Sequence, residues 1–325
     1  MTSPVFEPLS VRSMTTRNRL WIPPMCQYSA FAADGLPTPY HVSHYGALAR
    51  GGAGAVIVEM TNIVPEGRIS PNCLGLWSQA HTEAFKPVVA AIKAGGAKAG
   101  IQIGHAGRKA STAAWIASNA GESLTVAEGG WNTIAPSALA FPGLKDPREL
   151  ELSEIQKIIS DFADAAQRAV YAGFDFIEIH GAHGYLLTQF FSPLSNQRTD
   201  SYGGPLENRA RLSLEVVNAI RAVIPEDMPL VYRISATEWL EGGITVEDSV
   251  QLLTWVKELG VDIADVSTGG NMPASFPIYA GYQIPSAAKI KTETGLITGG
   301  VGLINEPRLA EYLIGSEEVD FVLIG

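Results

Sequence analysis

Residues 174–185 read Phe174-Asp175-Phe176-Ile177-Glu178-Ile179-His180-Gly181-Ala182-His183-Gly184-Tyr185, a mostly apolar run that ends in imidazoles, glycines and a phenol. Apolar residues on consecutive positions suit a strand covered on both faces, as in a parallel sheet. Upstream, Ser153 to Ala172 carries apolar residues every three or four positions and stops at Gly173, so a helix feeds this strand. Helix, glycine, buried strand and polar strand end make one step of a βα ladder, with chemistry placed where the strand finishes.

The same step recurs outward in both directions. Leu20 to Ile22, Ala53 to Met60, Ala99 to His105, Pro229 to Ser235, Asp262 to Thr268, Leu296 to Gly300 and Phe321 to Ile324 bring the predicted strands to eight. Helices are predicted over Thr82 to Ala94, Leu206 to Val223 and Val246 to Leu259, and Gly51 and Gly260 also follow helical stretches. Eight strands predict an α/β fold of the closed (β/α)8 kind, a TIM barrel, as one domain over residues 1–325. No G-x-G-x-x-G follows the first strand, as a dinucleotide fold would require. Two irregularities stand out. The stretch Ala106 to Leu150, rich in Gly, Pro, Ser and Trp, leaves the third strand at the functional end and is expected to be a lid. The chain stops at Gly325 directly after the eighth strand, so the final helix and tail are expected to be absent and the chain truncated.

Composition narrows the class. A hydrophobic fraction of 46% with 17% charged residues supports a large core. A net charge of −10 without any basic run argues against nucleic acid as a partner. Two cysteines, Cys26 and Cys73, cannot make a zinc tetrad, an iron–sulfur site or a disulfide framework, and suit a reducing cytoplasm. No signal peptide opens the chain, and no apolar stretch reaches the length of about 18 residues that a membrane span needs.

The residues leaving each strand form a set. The first strand delivers Pro23-Pro24-Met25-Cys26-Gln27-Tyr28, the third Gln102 and His105, the fourth His180, His183 and Tyr185, the fifth Arg233, and the seventh Gly299, Gly300 and Gly302. Two imidazoles three residues apart and a phenol suit a carbonyl oxygen that gathers negative charge while a neighbouring carbon takes a proton. Two other readings stand beside this one: a metal site, with Glu178 or His105 as third ligand, and histidines satisfied structurally beneath a loop. Arg233 on a central strand requires an anionic or carbonyl partner, a ligand or else Glu178 or Glu59. The glycines after the seventh strand read as a backbone cradle for a phosphate or as plain turns. Cys26 reads equally as a small buried apolar residue. Gln102 and Lys109 read more readily as structural or solvated groups.

Taken together, Pro24-Met25-Cys26-Gln27-Tyr28, Gly100-Ile101-Gln102 with His105-Ala106-Gly107-Arg108-Lys109, His180 to Tyr185 and Ser192 to Gly204 resemble the old yellow enzyme family. Cys26 two residues before Tyr28 resembles its thermophilic-like, xenobiotic reductase branch. The similarity runs over essentially the whole chain. It implies FMN held non-covalently across the barrel mouth and NAD(P)H as reductant. Pro24, Met25 and Cys26 would line the ring, Gln102 its pyrimidine part, Arg233 its N1 edge, and Gly300, Val301, Gly302 and Gly325 the phosphate. An arginine that directly follows the last of these in relatives is missing here. Met60 stands where relatives usually carry a small residue beside the flavin.

The resemblance further implies an ene-reductase in which hydride passes from NAD(P)H through flavin N5 to the β-carbon of an α,β-unsaturated carbonyl or related activated alkene. His180 and His183 would hold the carbonyl or nitro oxygen, Tyr28 would assist, Tyr185 would donate the proton and Cys26 would tune the flavin potential. A homo-oligomer, dimer or tetramer, is expected. The alternatives are a flavin-binding protein whose catalysis is impaired by the missing C-terminus, and a metal-dependent barrel hydrolase using His180 and His183.

Overall fold

The structure is a computed structural model and describes residues 3–325. The chain opens with an antiparallel hairpin of β1 (Leu9–Val11) and β2 (Met14–Thr16), then enters a barrel through β3 (Leu20–Ile22). Next come α1 (Pro39–Arg50), β4 (Ala55–Asn62), α2 (Gln79–Ala94) and β5 (Lys98–Gly104). A long excursion follows, containing only a two-residue parallel ribbon of β6 (Ile134–Ala135) and β7 (Arg148–Glu149) and short 3-10 turns. The barrel resumes with α3 (Leu152–Ala172), β8 (Phe176–Gly181), α4 (Leu186–Phe191), α5 (Leu206–Arg221), β9 (Leu230–Ser235), α6 (Val246–Glu258) and β10 (Ile263–Ser267). It closes with α7 (Ile284–Thr294), β11 (Ile297–Gly300), α8 (Pro307–Gly315) and β12 (Phe321–Leu323). Strands β3, β4, β5, β8, β9, β10, β11 and β12 pair in that order, all parallel, and β12 returns to β3. This is the closed (β/α)8 barrel that the eight apolar runs predict.

Each barrel strand contributes alternate side chains to the barrel interior. Its lower half is aromatic: Trp21 stacks on Phe321 with centroids 4.0 Å apart and leans on Phe176 at 5.3 Å. Each such ring removes about 200 Å² from water, worth about 5 kcal/mol at 25 cal/mol per Å². Glycine makes the space, since a Cβ on Gly100 would lie 2.2 Å from the Phe176 ring and one on Gly299 2.4 Å from that of Phe321. Below this layer the hairpin turns Leu9, Val11 and Met14 into the same cluster and plugs the end of the barrel. The outer core is formed where the helices pack on the strands, with Phe85, Phe162, Val216, Leu253 and Ile290 all fully buried. Among the described residues no helix is long and apolar enough to cross a membrane.

The excursion from Ala106 to Leu150 covers the upper rim and is fastened by two buried arginines. Arg108 donates from Nη2 to Asn271 O (2.7 Å) and Asn271 Oδ1 (3.0 Å), and from Nη1 to Leu139 O (3.2 Å). Arg198 donates to Pro136 O (3.0 Å) and Leu150 O (2.7 Å) while paired with Asp200. Asn271 passes the connection on to Glu238, so the lid is tied to the loops after β9 and β10.

Candidate active site

The upper end of the barrel is polar. Inside it, Gln102 from β5 donates to Glu178 Oε1 (2.8 Å), and Arg233 Nε from β9 lies 3.2 Å from Asp265 Oδ2 of β10. Glu178 is fully buried, and burial together with Asp265 pushes its carboxyl well above the usual carboxylate range. Burial raises Asp265 as well, opposed by Arg233. One guanidinium between two carboxyls supports one negative charge, which places the shared proton on Glu178 and leaves Asp265 to face Arg233. Sequence reasoning offered Glu178 or Glu59 as partners of Arg233 and overlooked Asp265. Glu59 is committed elsewhere, accepting from Gln27 N–H (2.8 Å) and Tyr45 OH (3.0 Å), and thereby holds the segment after β3 in place.

At the upper end of β8 and just beyond it sits the imidazole pair. The ring of His180 meets that of His183 edge-on at 5.2 Å and that of Tyr185 at 4.9 Å. His183 adopts a left-handed backbone (φ 59°), and the N–H of this residue donates to Ser235 Oγ (2.8 Å). His180 Nδ1 accepts from Ala182 N–H (3.3 Å), which leaves its proton on Nε2. His183 Nε2 rests 2.8 Å from Ser267 Oγ, whose hydroxyl donates to Gln283 Oε1 (3.0 Å). Burial drives both imidazoles well below the ordinary histidine pKa, with Arg233 and Lys109 adding to the effect. Burial likewise keeps the Tyr185 and Tyr28 phenols protonated.

Lys109, read from the sequence as structural or solvated, lies under the lid. Its ammonium donates to His183 O (2.8 Å) and Gly270 O (2.9 Å) and stands 4.9 Å from the ring centroids of Tyr185 and Phe141. Burial lowers its pKa to about 8. A cavity of about 440 Å³ opens over this point, lined by Ile69, Lys109, Trp115, Phe141 and Tyr185. His105, the other candidate from β5, is directed elsewhere: its Nδ1 accepts from Gly107 N–H (2.9 Å), and burial lowers its pKa to about 3.

The remaining predicted residues also gather at this end. Pro24, Met25 and Cys26 are half-buried along the mouth, with Tyr28 beneath them. Met60 is only 1% exposed and packs with Tyr28, Ile69 and Cys73, its methyl end directed at Gly104 beside His180. Gly302 takes a positive φ of 120° beside Tyr282 and Gln283, and Gly325 packs against Met25. Glu178 faces Gln102 and Asp265 and not the imidazoles. Among the described residues no group of three or more His, Cys, Asp or Glu side chains is arranged to hold a metal.

Sequence reasoning missed Asp265, Ser267 and Gln283. For the first two a signal existed, because polar residues two apart on a predicted central strand share its inner face. The flavin implied by the resemblance fits the groups present: a buried Arg233 guanidinium whose Nε is ion-paired with Asp265 but makes no well-aligned hydrogen bond, a buried Gln102 amide, and glycine backbone at the end of β11.

Comparison with known proteins agrees with this geometry. Residues 4–325 match the model of the NADH:flavin oxidoreductase / NADH oxidase family. NADPH dehydrogenase of Halalkalibacterium halodurans is 43% identical over 324 residues, spanning 100% of this chain and 90% of that protein. NADPH dehydrogenase of Bacillus pumilus is 42% identical over 326 residues, spanning 100% and 91%. Among solved structures, morphinone reductase in complex with tetrahydroNAD superposes with a TM-score of 0.81 at 28% identity, covering 99% of this chain and 86% of that one. The old yellow enzyme homologue from Zymomonas mobilis gives 0.82 at 26% identity, covering 99% and 88%. The chain therefore belongs to the NADH:flavin oxidoreductase / NADH oxidase family, the old yellow enzymes, as an FMN-dependent oxidoreductase with NAD(P)H as reductant.

Proposed function

We propose that this enzyme is an ene-reductase acting on α,β-unsaturated carbonyl compounds and related activated alkenes. The observation that carries the reading is the His180–Tyr185 pair: a neutral imidazole with its proton on Nε2 stands edge-on to a phenol that burial keeps protonated. FMN, when bound, would supply the hydride chemistry that links NAD(P)H to the β-carbon of the acceptor. Pro24, Met25 and Cys26 would lie along its ring, Gln102 and Arg233 at its pyrimidine edge, and Gly300, Val301, Gly302 and Gly325 near its phosphate.

The protein's own part is electrostatic and acidic. His180 donates Nε2–H to the acceptor oxygen as negative charge gathers there, an interaction of a kind worth about 3 to 4 kcal/mol. His183 joins as second donor when that oxygen displaces the Ser267 hydroxyl, and Tyr28 closes the pocket from the side of β3. Tyr185 delivers its proton to the α-carbon, a contribution of about 100- to 10,000-fold in rate. The cavity below the lid, bounded by Trp115 and Phe141, takes the apolar remainder of the substrate.

The test is steady-state NADPH oxidation under nitrogen with 2-cyclohexenone as acceptor, with the saturated ketone identified as product. Oxidation that does not depend on the enone would remove the proposal and leave a flavin-binding protein that does not reduce alkenes.

A further inference from the structure

Cys26 and Cys73 are the only cysteines of the chain, and both are free thiols. Backbone and side-chain contacts draw their segments together. Ala30 N–H donates to Asn72 O (3.0 Å), Asn72 Nδ2 to Ala30 O (3.3 Å), and Asn62 N–H to Leu74 O (3.0 Å). The Cys26 side chain packs against the buried cluster that contains Cys73 and Met60. Both side chains belong to one apolar cluster with Tyr28, Met60, Ile69 and Ala106. Cys26 is half-buried at the mouth, whereas Cys73 is closed to solvent.

We propose that Cys26 and Cys73 form a two-thiol modification site that hydrogen peroxide converts into a disulfide. The Cys26 sulfur, the one reachable from the mouth, attacks a peroxide oxygen. The O–O bond breaks, Cys26 becomes a sulfenic acid and one water leaves. The Cys73 sulfur then attacks the sulfenic sulfur, the S–S bond forms, and the hydroxyl departs as a second water with the Cys73 proton. Two thiols and one peroxide thus give one disulfide and two waters.

The surroundings determine the kinetics of both steps. The neighbouring thiol and burial lift Cys26 above the ordinary thiol range, so thiolate is scarce at neutral pH and the first step quickens as pH rises. The second step is intramolecular between side chains packed in one cluster, so it outruns attack by another peroxide. Cys73 therefore guards Cys26 against sulfinic acid, and a dithiol reductant restores the pair. The proposal is independent of the ene-reductase reading, because its readout is thiol chemistry.

The experiment exposes the native, FMN-loaded protein to excess hydrogen peroxide at pH 8, removes the peroxide with catalase, unfolds the protein in iodoacetamide to block remaining thiols, and maps peptides by mass. The expected product is a peptide joining Cys26 to Cys73, lighter by two hydrogens and separated by dithiothreitol. In Cys73→Ala and Cys73→Ser, Cys26 is expected to progress to sulfinic and sulfonic acid instead. Wild-type protein that accumulates sulfinic acid at Cys26 with Cys73 still alkylatable would overturn the proposal, whatever the variants do.

Discussion

The ring of Tyr185 meets that of His180 edge-on, at an interplanar angle of 78° and a centroid separation of 4.9 Å, so the two groups proposed as donors to oxygen and to carbon stand side by side. Tyr185→Phe keeps the ring and removes the proton. Its expected effect is a fall of about 100- to 10,000-fold in enone-dependent turnover, with bleaching of the yellow absorbance by NADPH nearly unchanged. Stopped-flow measurement of the two half-reactions checks this, and equal slowing of both would exclude Tyr185 as proton donor.

The two imidazoles are not equivalent. His180 keeps Nε2–H available, while His183 Nε2 is engaged with Ser267. His180→Ala is expected to weaken binding of p-hydroxybenzaldehyde, followed by the long-wavelength flavin band, by more than His183→Ala does. A loss of about 100-fold or more is expected for His180→Ala, the value of one oxyanion donor. The reverse order would assign the main oxygen contact to His183.

Inside the barrel, the paired carboxyls predict non-additive costs. Glu178→Gln replaces a group already neutral and should cost about 1 kcal/mol or less. Asp265→Asn frees Glu178 to ionise and take over Arg233, which softens the loss. The double variant leaves a buried guanidinium bare, at about 3 to 5 kcal/mol, so urea unfolding of the four proteins should show a double cost well above the sum of the singles.

Acid should weaken the fold early. His44, His81, His105, His180 and His183 all have pKa values lowered by burial, so below the ordinary histidine value the unfolded chain binds protons that the folded chain refuses. Stability is then present above pH 6.5 and is lost as pH falls through it. For His105 alone the loss between pH 6.5 and pH 5 is about 2 kcal/mol. Denaturant midpoints measured from pH 7.5 to pH 5 test the slope, and a flat profile would contradict the neutral, buried state of these rings.

Arg108 should hold the lid more than the barrel. Its guanidinium ties Leu139 and Asn271 across the rim, and hydrogen bonds to a charged group contribute about 1.5 to 3 kcal/mol each. Arg108→Ala is expected to open the sites after Trp115, Leu124 and Trp131 to chymotrypsin, with far-ultraviolet circular dichroism unchanged. Cleavage elsewhere first would place the loss in the barrel itself.

Much of this was legible in residues alone, for a definable reason. The eight strands lie within two or three residues of the apolar runs, because strands buried on both faces leave continuous apolar stretches that no loop tolerates. Gly173 closes α3 in a left-handed conformation, as its place after Ala172 implies. The short helix α4 and the helix α8 were not read, since six and nine residues give periodicity little length to register. In the site, His180 and Tyr185 were visible from their position at a strand end. Asp265 and the Lys109 contacts were not, because they depend on which strands become neighbours and how the lid folds back. That information lies in closure of the barrel and not in any local stretch.

The hairpin of Leu9–Val11 and Met14–Thr16, with Trp21 and Phe321 stacked above it, stoppers the lower end of the barrel. With that end shut, reductant and acceptor are expected to share the remaining doorway and to use it in turn. Families of parallel double-reciprocal lines, and throttling of turnover by a surplus of either visitor, follow from that dead end.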